Sequence, residues 1–201
     1  MTLLRICILA LAALAFAACE ERPRAEAAEC LQGDCETGQG AAILNDGAEY
    51  AGGFRDSRPH GKGDYNHPSG VRYRGEWRNG RLEGLGTYFL TDGSIYEGEF
   101  RADHMHGAGF LTWPDGARLY ATFVNGKVEG AAQLHLPDGA VHYGRYRDGK
   151  IHAGVGMFRY EDGSVYLGTW KDGRRHGGGA YTMTTGEIQI GVWRHDRFVH
   201  P

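Results

Sequence analysis

Residues 73–95 run Tyr73-Arg74-Gly75-Glu76-Trp77-Arg78-Asn79-Gly80-Arg81-Leu82-Glu83-Gly84-Leu85-Gly86-Thr87-Tyr88-Phe89-Leu90-Thr91-Asp92-Gly93-Ser94-Ile95, and their pattern decides the fold. Tyr73, Gly75 and Trp77 alternate with polar residues, as do Gly84, Gly86, Tyr88 and Leu90, and a period of two is the mark of a strand. Asn79-Gly80 between them is the dipeptide that accepts the positive φ of a tight hairpin turn. Asp92-Gly93 supplies a second turn, so the stretch predicts two antiparallel strands and the connection to the next pair. The same frame recurs every 23 residues, at Tyr50-Ala51-Gly52-Gly53-Phe54, at Tyr96-Glu97-Gly98-Glu99-Phe100, and then from Leu119, His142, Tyr166 and Gln189. One step, from 142 to 166, is 24, with the extra residue just before Gly154-Val155-Gly156. Fixed self-similarity of this kind signals a repeat architecture.

Composition agrees. Of 201 residues, 33 are Gly, against a usual share of about 7%, and a glycine every six residues would cost a helix about 1 kcal/mol at each interior position. An 11% aromatic content is too high for a flexible glycine-rich linker, and the glycines lack the period of three that collagen needs. Lys and Arg number 22 against 25 Asp and Glu, a balance that does not point to nucleic acid. The expected class is all-β.

Tyr-x-Gly-x-(Trp/Phe), an Asn-Gly turn, Gly-x-Gly-x-aromatic and Asp-Gly at 23-residue spacing resemble the MORN (membrane occupation and recognition nexus) repeat over most of the chain. The resemblance implies an elongated, twisted single antiparallel sheet of repeated β-hairpins. It implies no shared activity, since such repeats serve as tethers, assembly surfaces and proposed lipid contacts. The unit from 119 departs from the pattern, with Leu119, Ala121 and Ala132 replacing Tyr, Gly and Gly, and the next begins with His142. About thirteen strands are expected, and open sheets of more than about 10 usually curl. No amphipathic helix follows the first residues to cover such a sheet.

The chain divides into residues 1–18, a signal peptide; 19–35, a tether and lead-in; and 36–201, the repeat array. Ile6 to Ala18 is an apolar run of 13, too short to span a bilayer, with Arg5 as a basic start. Ala17-Ala18-Cys19 resembles the lipobox of bacterial lipoproteins, which implies that Cys19 carries a diacylglyceryl group; Ala15-Phe16-Ala17 also fits ordinary cleavage, as the alternative. Glu20 after Cys19 leans towards the outer membrane rather than the inner. Removing the signal leaves Cys19, Cys30 and Cys35, and if Cys19 is lipidated the other two can pair; two thiolates alone fall short of the four ligands of a structural zinc. Cys30-x4-Cys35-x2-Gly38-x-Gly40 is also similar to exported bacterial members of the family.

Three surfaces stand out. Tyr73, Trp77, Tyr88, Tyr96, Phe100, Trp170, Tyr181 and Trp193 fall on one face, as a core or as a partner groove. Arg55, Arg58, Arg78, Arg81, Arg101, Lys127, Arg147, Lys150, Lys171 and Arg174 flank the hairpin turns and form a candidate edge for anionic ligands, opposite the Asp-Gly turns. His60, Glu83, His106, Glu129, His152 and His176 form a column, but units about 10 Å apart keep its members from sharing one metal ion. No nucleophile-base set, phosphate-cradling loop or paired catalytic carboxylates appears. The sequence therefore reads as a non-enzymatic scaffold of the cell envelope without metal or cofactor, binding envelope proteins, with a second copy of itself as a further candidate partner. Anionic phospholipid or polysaccharide on the basic edge is the alternative, and no nucleic acid is implicated.

Overall fold

The computed structural model describes residues 24–160 and 162–201. The expected signal segment 1–18 and Cys19 lie outside them. The described chain forms sixteen strands: β1 Ala27–Gly33, β2 Gln39–Leu44, β3 Glu49–Arg55, β4 Arg58–Asn66, β5 Arg72–Arg78, β6 Arg81–Phe89, β7 Ile95–Arg101, β8 His104–Thr112, β9 Arg118–Val124, β10 Lys127–His135, β11 Val141–Arg147, β12 Lys150–Arg159, β13 Val165–Lys171, β14 Arg174–Thr182, β15 Ile188–Arg194 and β16 Arg197–His200. They lie in sequence order in one sheet that does not close. Two compact units divide at Pro114, the second being Asp115–Pro201.

Each hairpin turn holds two residues with positive φ, as at Asn79 (51°) and Gly80 (77°), the geometry that matches strand twist. Three turns use it without glycine: Asp56-Ser57, Ala102-Asp103 and His195-Asp196. These escaped the dipeptide signal. The Asp-Gly connections share a second device, in which the carboxylate accepts the backbone N–H two residues on: Ser94 to Asp92 Oδ1 at 2.9 Å, Ala117 to Asp115 Oδ1 at 3.0 Å. The aspartates of that edge thus build their own turns.

Burial follows the period of two, β5 and β7 each hiding only the tyrosine and the aromatic four residues later. The Tyr-x-Gly spacing has a steric reason. Gly98 pairs with Gly109 across β7 and β8, and the Tyr96 ring lies over both; a Cβ on Gly109 would stand 2.5 Å from Tyr96 Oη. Tyr50, Tyr73 and Tyr166 repeat the arrangement, their hydroxyls donating to the carbonyls of Gly53, Glu76 and Thr169. In the departing unit Leu119 has no ring to lay down, and Ala121 and Ala132 pair where glycines stand elsewhere. The loss of Tyr and the loss of both Gly are one change.

The 24-residue step appears as register: β11 and β12 pair Gly144 with Gly154 and take up one extra residue where β5–β6, β7–β8 and β13–β14 take up two. Two expectations are corrected. The strand count is sixteen, because short strands at both ends join the sheet. The expected tether is ordered from Arg24 on: Ala25 N–H donates to Gly80 O (3.0 Å), Ala27 N–H to Ser57 O (2.8 Å), and β1 pairs with β2. Its charged, alanine-rich composition gave no strand signal, and the turns that fix Ala25 and Ala27 lie 30 and more residues away.

Candidate interaction surfaces

The aromatic column is interior. Tyr73, Trp77, Tyr96, Phe100, Trp170 and Trp193 are all buried, with rings meeting edge to face: Tyr73 with Trp77 at 5.4 Å and with Phe100 at 5.1 Å, Tyr166 with Trp193 at 5.4 Å. As a partner face these six residues are corrected to core, because rings of neighbouring units pack on one another, as Tyr73 does on Phe100 and Tyr166 on Trp193. Tyr88 and Tyr181 are half-buried. Burial pushes the tyrosine hydroxyls up, to about 12 for Tyr146 and Tyr166 and further for Tyr50, Tyr73 and Tyr96, so they act as hydrogen-bond donors and not as acids or bases near neutrality.

The basic residues meet in pairs across each turn: Arg55 with Arg58, Arg78 with Arg81, Arg147 with Lys150, Lys171 with Arg174. Arg101 pairs with His104, and Lys127 with Val124. Carboxylates approach some of them, Glu26 at 3.7 Å from Arg58, Asp103 at 4.0 Å from Arg81 and Asp148 at 3.9 Å from Lys127. The exposed pairs of Arg58 and Lys127 contribute little to stability, whereas Asp103 is buried and also accepts the Leu82 N–H at 2.8 Å; all three partly offset the positive edge.

The His/Glu column has a use that the sequence did not reveal. Glu83 Oε2 accepts the N–H of Ala102 at 3.0 Å, Glu129 Oε1 that of Asp148 at 2.6 Å, and His60 Nδ1 that of Asn79 at 3.4 Å. These three members cap the hairpin turn of the next unit, whereas His106 Nδ1 and His176 Nδ1 are buried without a hydrogen bond. The only sequence trace of this is that His and Glu share an acceptor atom at similar reach. Cys30 and Cys35 form a disulfide, and Cys35 is buried against β2.

The outer face, opposite the tyrosines, differs between the two units, and sequence reading passed over it. In β3, β5 and β7 it carries Glu49, Glu76, Glu97 and Glu99 among basic residues. The corresponding positions of β9, β11, β13 and β15 are Arg118, Tyr120, Thr122, Val124; Val141, Tyr143, Arg145, Arg147; Val165, Leu167, Thr169, Lys171; and Ile188, Ile190, Val192, Arg194, with no carboxylate. Tyr143 is 62% exposed and Ile190 68%. Between Tyr120, Gln133, Tyr143 and Arg145 lies a groove of about 510 Å³.

The MORN repeat is recognised at residues 50–72, 73–95, 96–118, 142–165 and 166–188. No curated protein matches the sequence. Among solved structures, the TCP domain of SAS-4 from Drosophila melanogaster, in complex with a proline-rich motif of Ana2, is 14% identical, with 88% of this chain and 99% of that one covered and a TM-score of 0.43. The TCP10 domain of CPAP from Danio rerio is 12% identical over 76% and 72%, TM-score 0.40, and virginiamycin B lyase from Staphylococcus aureus 10% over 78% and 56%, TM-score 0.19. Likenesses this loose carry no functional weight. The matched repeats cover more than half the residues and coincide with the hairpin units built on tyrosine over paired glycine, and the chain belongs to the MORN-repeat family.

Proposed function

We propose that this MORN-repeat chain is a non-enzymatic scaffold of the bacterial envelope, exported by residues 1–18, held to a membrane through lipidated Cys19, and docking envelope proteins on the outer face of its Asp115–Pro201 unit. MORN repeats as a class form scaffolds for protein or membrane interaction. The observation that carries the finer reading is the exposed apolar outer face of β9, β11, β13 and β15, which offers large side chains without a carboxylate. Exposed apolar patches of this kind mark interaction sites. The buried aromatic column cannot serve, and a docking face rich in Tyr and Arg has the composition of interface hot spots.

The test is capture of envelope proteins by the mature chain and by a Tyr143→Glu, Ile190→Glu variant, at low and at high salt. Both positions are exposed, so the variant should keep the urea midpoint of the parent chain. Salt-tolerant capture lost in the variant is the expected result; equal capture by both chains removes the outer face from the reading. Co-sedimentation of residues 20 to 201 with neutral and anionic vesicles runs beside it, and salt-sensitive binding to anionic vesicles alone moves the function to the basic edge. Mass spectrometry of the mature N-terminus tests the anchor: a free N-terminus generated after Ala17 refutes lipidation.

A further inference from the structure

In every hairpin the residue paired across from the second aromatic faces the core: Pro59 opposite Phe54, Leu82 opposite Trp77, Met105 opposite Phe100, Val128 opposite Phe123, Ile151 opposite Tyr146, Phe198 opposite Trp193. In the unit from 166 that position, opposite Trp170, is Arg175. Its side chain is only 17% exposed, and its guanidinium lies 4.3 Å from the centre of the Trp193 ring and 5.1 Å from that of Tyr181. Asp196 steadies it, accepting from Arg175 Nη2 at the backbone oxygen (2.8 Å) and from Arg175 N–H at Oδ1 (2.9 Å). Nε is buried without a hydrogen bond. A charged pair at a position that takes an apolar residue elsewhere gains no stability over a well-packed apolar one, and local violations of a repeat's own rule cluster at functional sites.

Arg175 borders a cleft of about 610 Å³ within the Asp115–Pro201 unit, a volume typical of small-ligand sites. Phe158 and Tyr160, both half-buried, form one wall, and Trp170 contributes to the floor. Around the rim stand two cations, Arg175 and Lys150, and two carboxylates, Asp162 and Asp196. Asp162 spends Oδ1 on Ser164, from which it accepts both the N–H and the hydroxyl.

We propose that this cleft binds a neutral oligosaccharide. The rim's charges cancel, so an anion meets Asp162 and Asp196, and a cation meets Arg175 and Lys150. A purely apolar ligand would strip water from all four without replacing its hydrogen bonds. A sugar ring offers an apolar C–H face to Tyr160 and Phe158, and its hydroxyls both donate to the carboxylates and accept from the guanidinium and ammonium.

Calorimetric titration of the mature chain with chitohexaose, cellohexaose and maltohexaose, followed in parallel by tryptophan emission, tests this, with hexagalacturonate as the anionic comparison. At least one neutral hexasaccharide should bind saturably and shift the emission, given Trp170 in the floor and Trp193 under Arg175. Arg175→Met, which installs the residue found at Met105, should weaken that binding by about tenfold or more while the urea midpoint stays equal or rises. Tyr160→Ala should weaken it as well. The proposal is overturned if none of the three binds at millimolar concentration, if Arg175→Met leaves the affinity unchanged, or if hexagalacturonate is the preferred ligand.

Discussion

Gly178 and Gly179 are neighbours in β14, and the structure assigns them opposite tolerances. A Cβ on Gly178 would meet nothing within 4 Å, and the backbone there is not in the left-handed region. A Cβ on Gly179 would stand 2.5 Å from Tyr166 Cζ and 2.6 Å from Cε2, where carbon atoms need about 3.5 Å. The ring would have to move about 1 Å. Trp170 and Trp193 hold it edge to face at 5.2 and 5.4 Å, so it cannot move freely. Overpacking of that kind costs about 1–3 kcal/mol, and loss of the Tyr166 hydroxyl's bond to Thr169 O (3.3 Å) adds about 1 kcal/mol. Gly179→Ala should therefore destabilise by about 2–4 kcal/mol, whereas Gly178→Ala should be neutral or stabilise by up to about 1 kcal/mol through the unfolded chain. Urea denaturation followed by tryptophan emission reads both, as a shift in midpoint at constant slope. The triple change Tyr166→Leu, Gly168→Ala, Gly179→Ala copies the Leu119, Ala121, Ala132 unit and should cost less than the sum of its parts, by about 1–3 kcal/mol of coupling. Equal midpoints for Gly178→Ala and Gly179→Ala, or strict additivity in the triple variant, would refute the packing argument.

Glu129→Ala removes the acceptor of the Asp148 N–H and should cost about 1 kcal/mol, with hydrogen exchange accelerated at the Asp148-Gly149 turn; unchanged exchange there would show that the column does not cap. The buried tyrosines titrate above their unfolded value of about 10, so the native state holds more protons than the unfolded one as pH rises past that value. Stability should thus be level below pH about 10 and fall through pH 12, by about 1.4 kcal/mol per pH unit for each such tyrosine, in denaturant midpoints measured across the alkaline range. Reducing the Cys30–Cys35 disulfide opens a loop with a sequence separation of 5, worth about 2 kcal/mol on chain entropy, and should loosen β1 and β2 in hydrogen exchange while β5 to β7 keep their protection.

Much of this molecule was legible in one dimension. The alternation in Tyr73-Arg74-Gly75-Glu76-Trp77, the turn pairs and the 23-residue recurrence depend only on contacts between neighbouring hairpins, so the all-β class, the strand directions and the inward face followed from local spacing. Even the joint loss of Tyr and Gly at Leu119, Ala121 and Ala132 was visible, although its cause was not. What required the tertiary structure was every property set by more than one unit at once. Whether Trp77 and Trp170 were surface or core depended on how the rings of neighbouring units pack, which no single repeat encodes. The turn-capping role of Glu83 and Glu129 needed the next unit's backbone beside them, and the order in residues 24–27 needed Ser57 and Gly80. The lack of carboxylates on the outer face of β9, β11, β13 and β15 and the lone Arg175 are differences between repeats. A repeat pattern averages such differences away, whereas the folded sheet puts each one in a particular place and gives it particular neighbours.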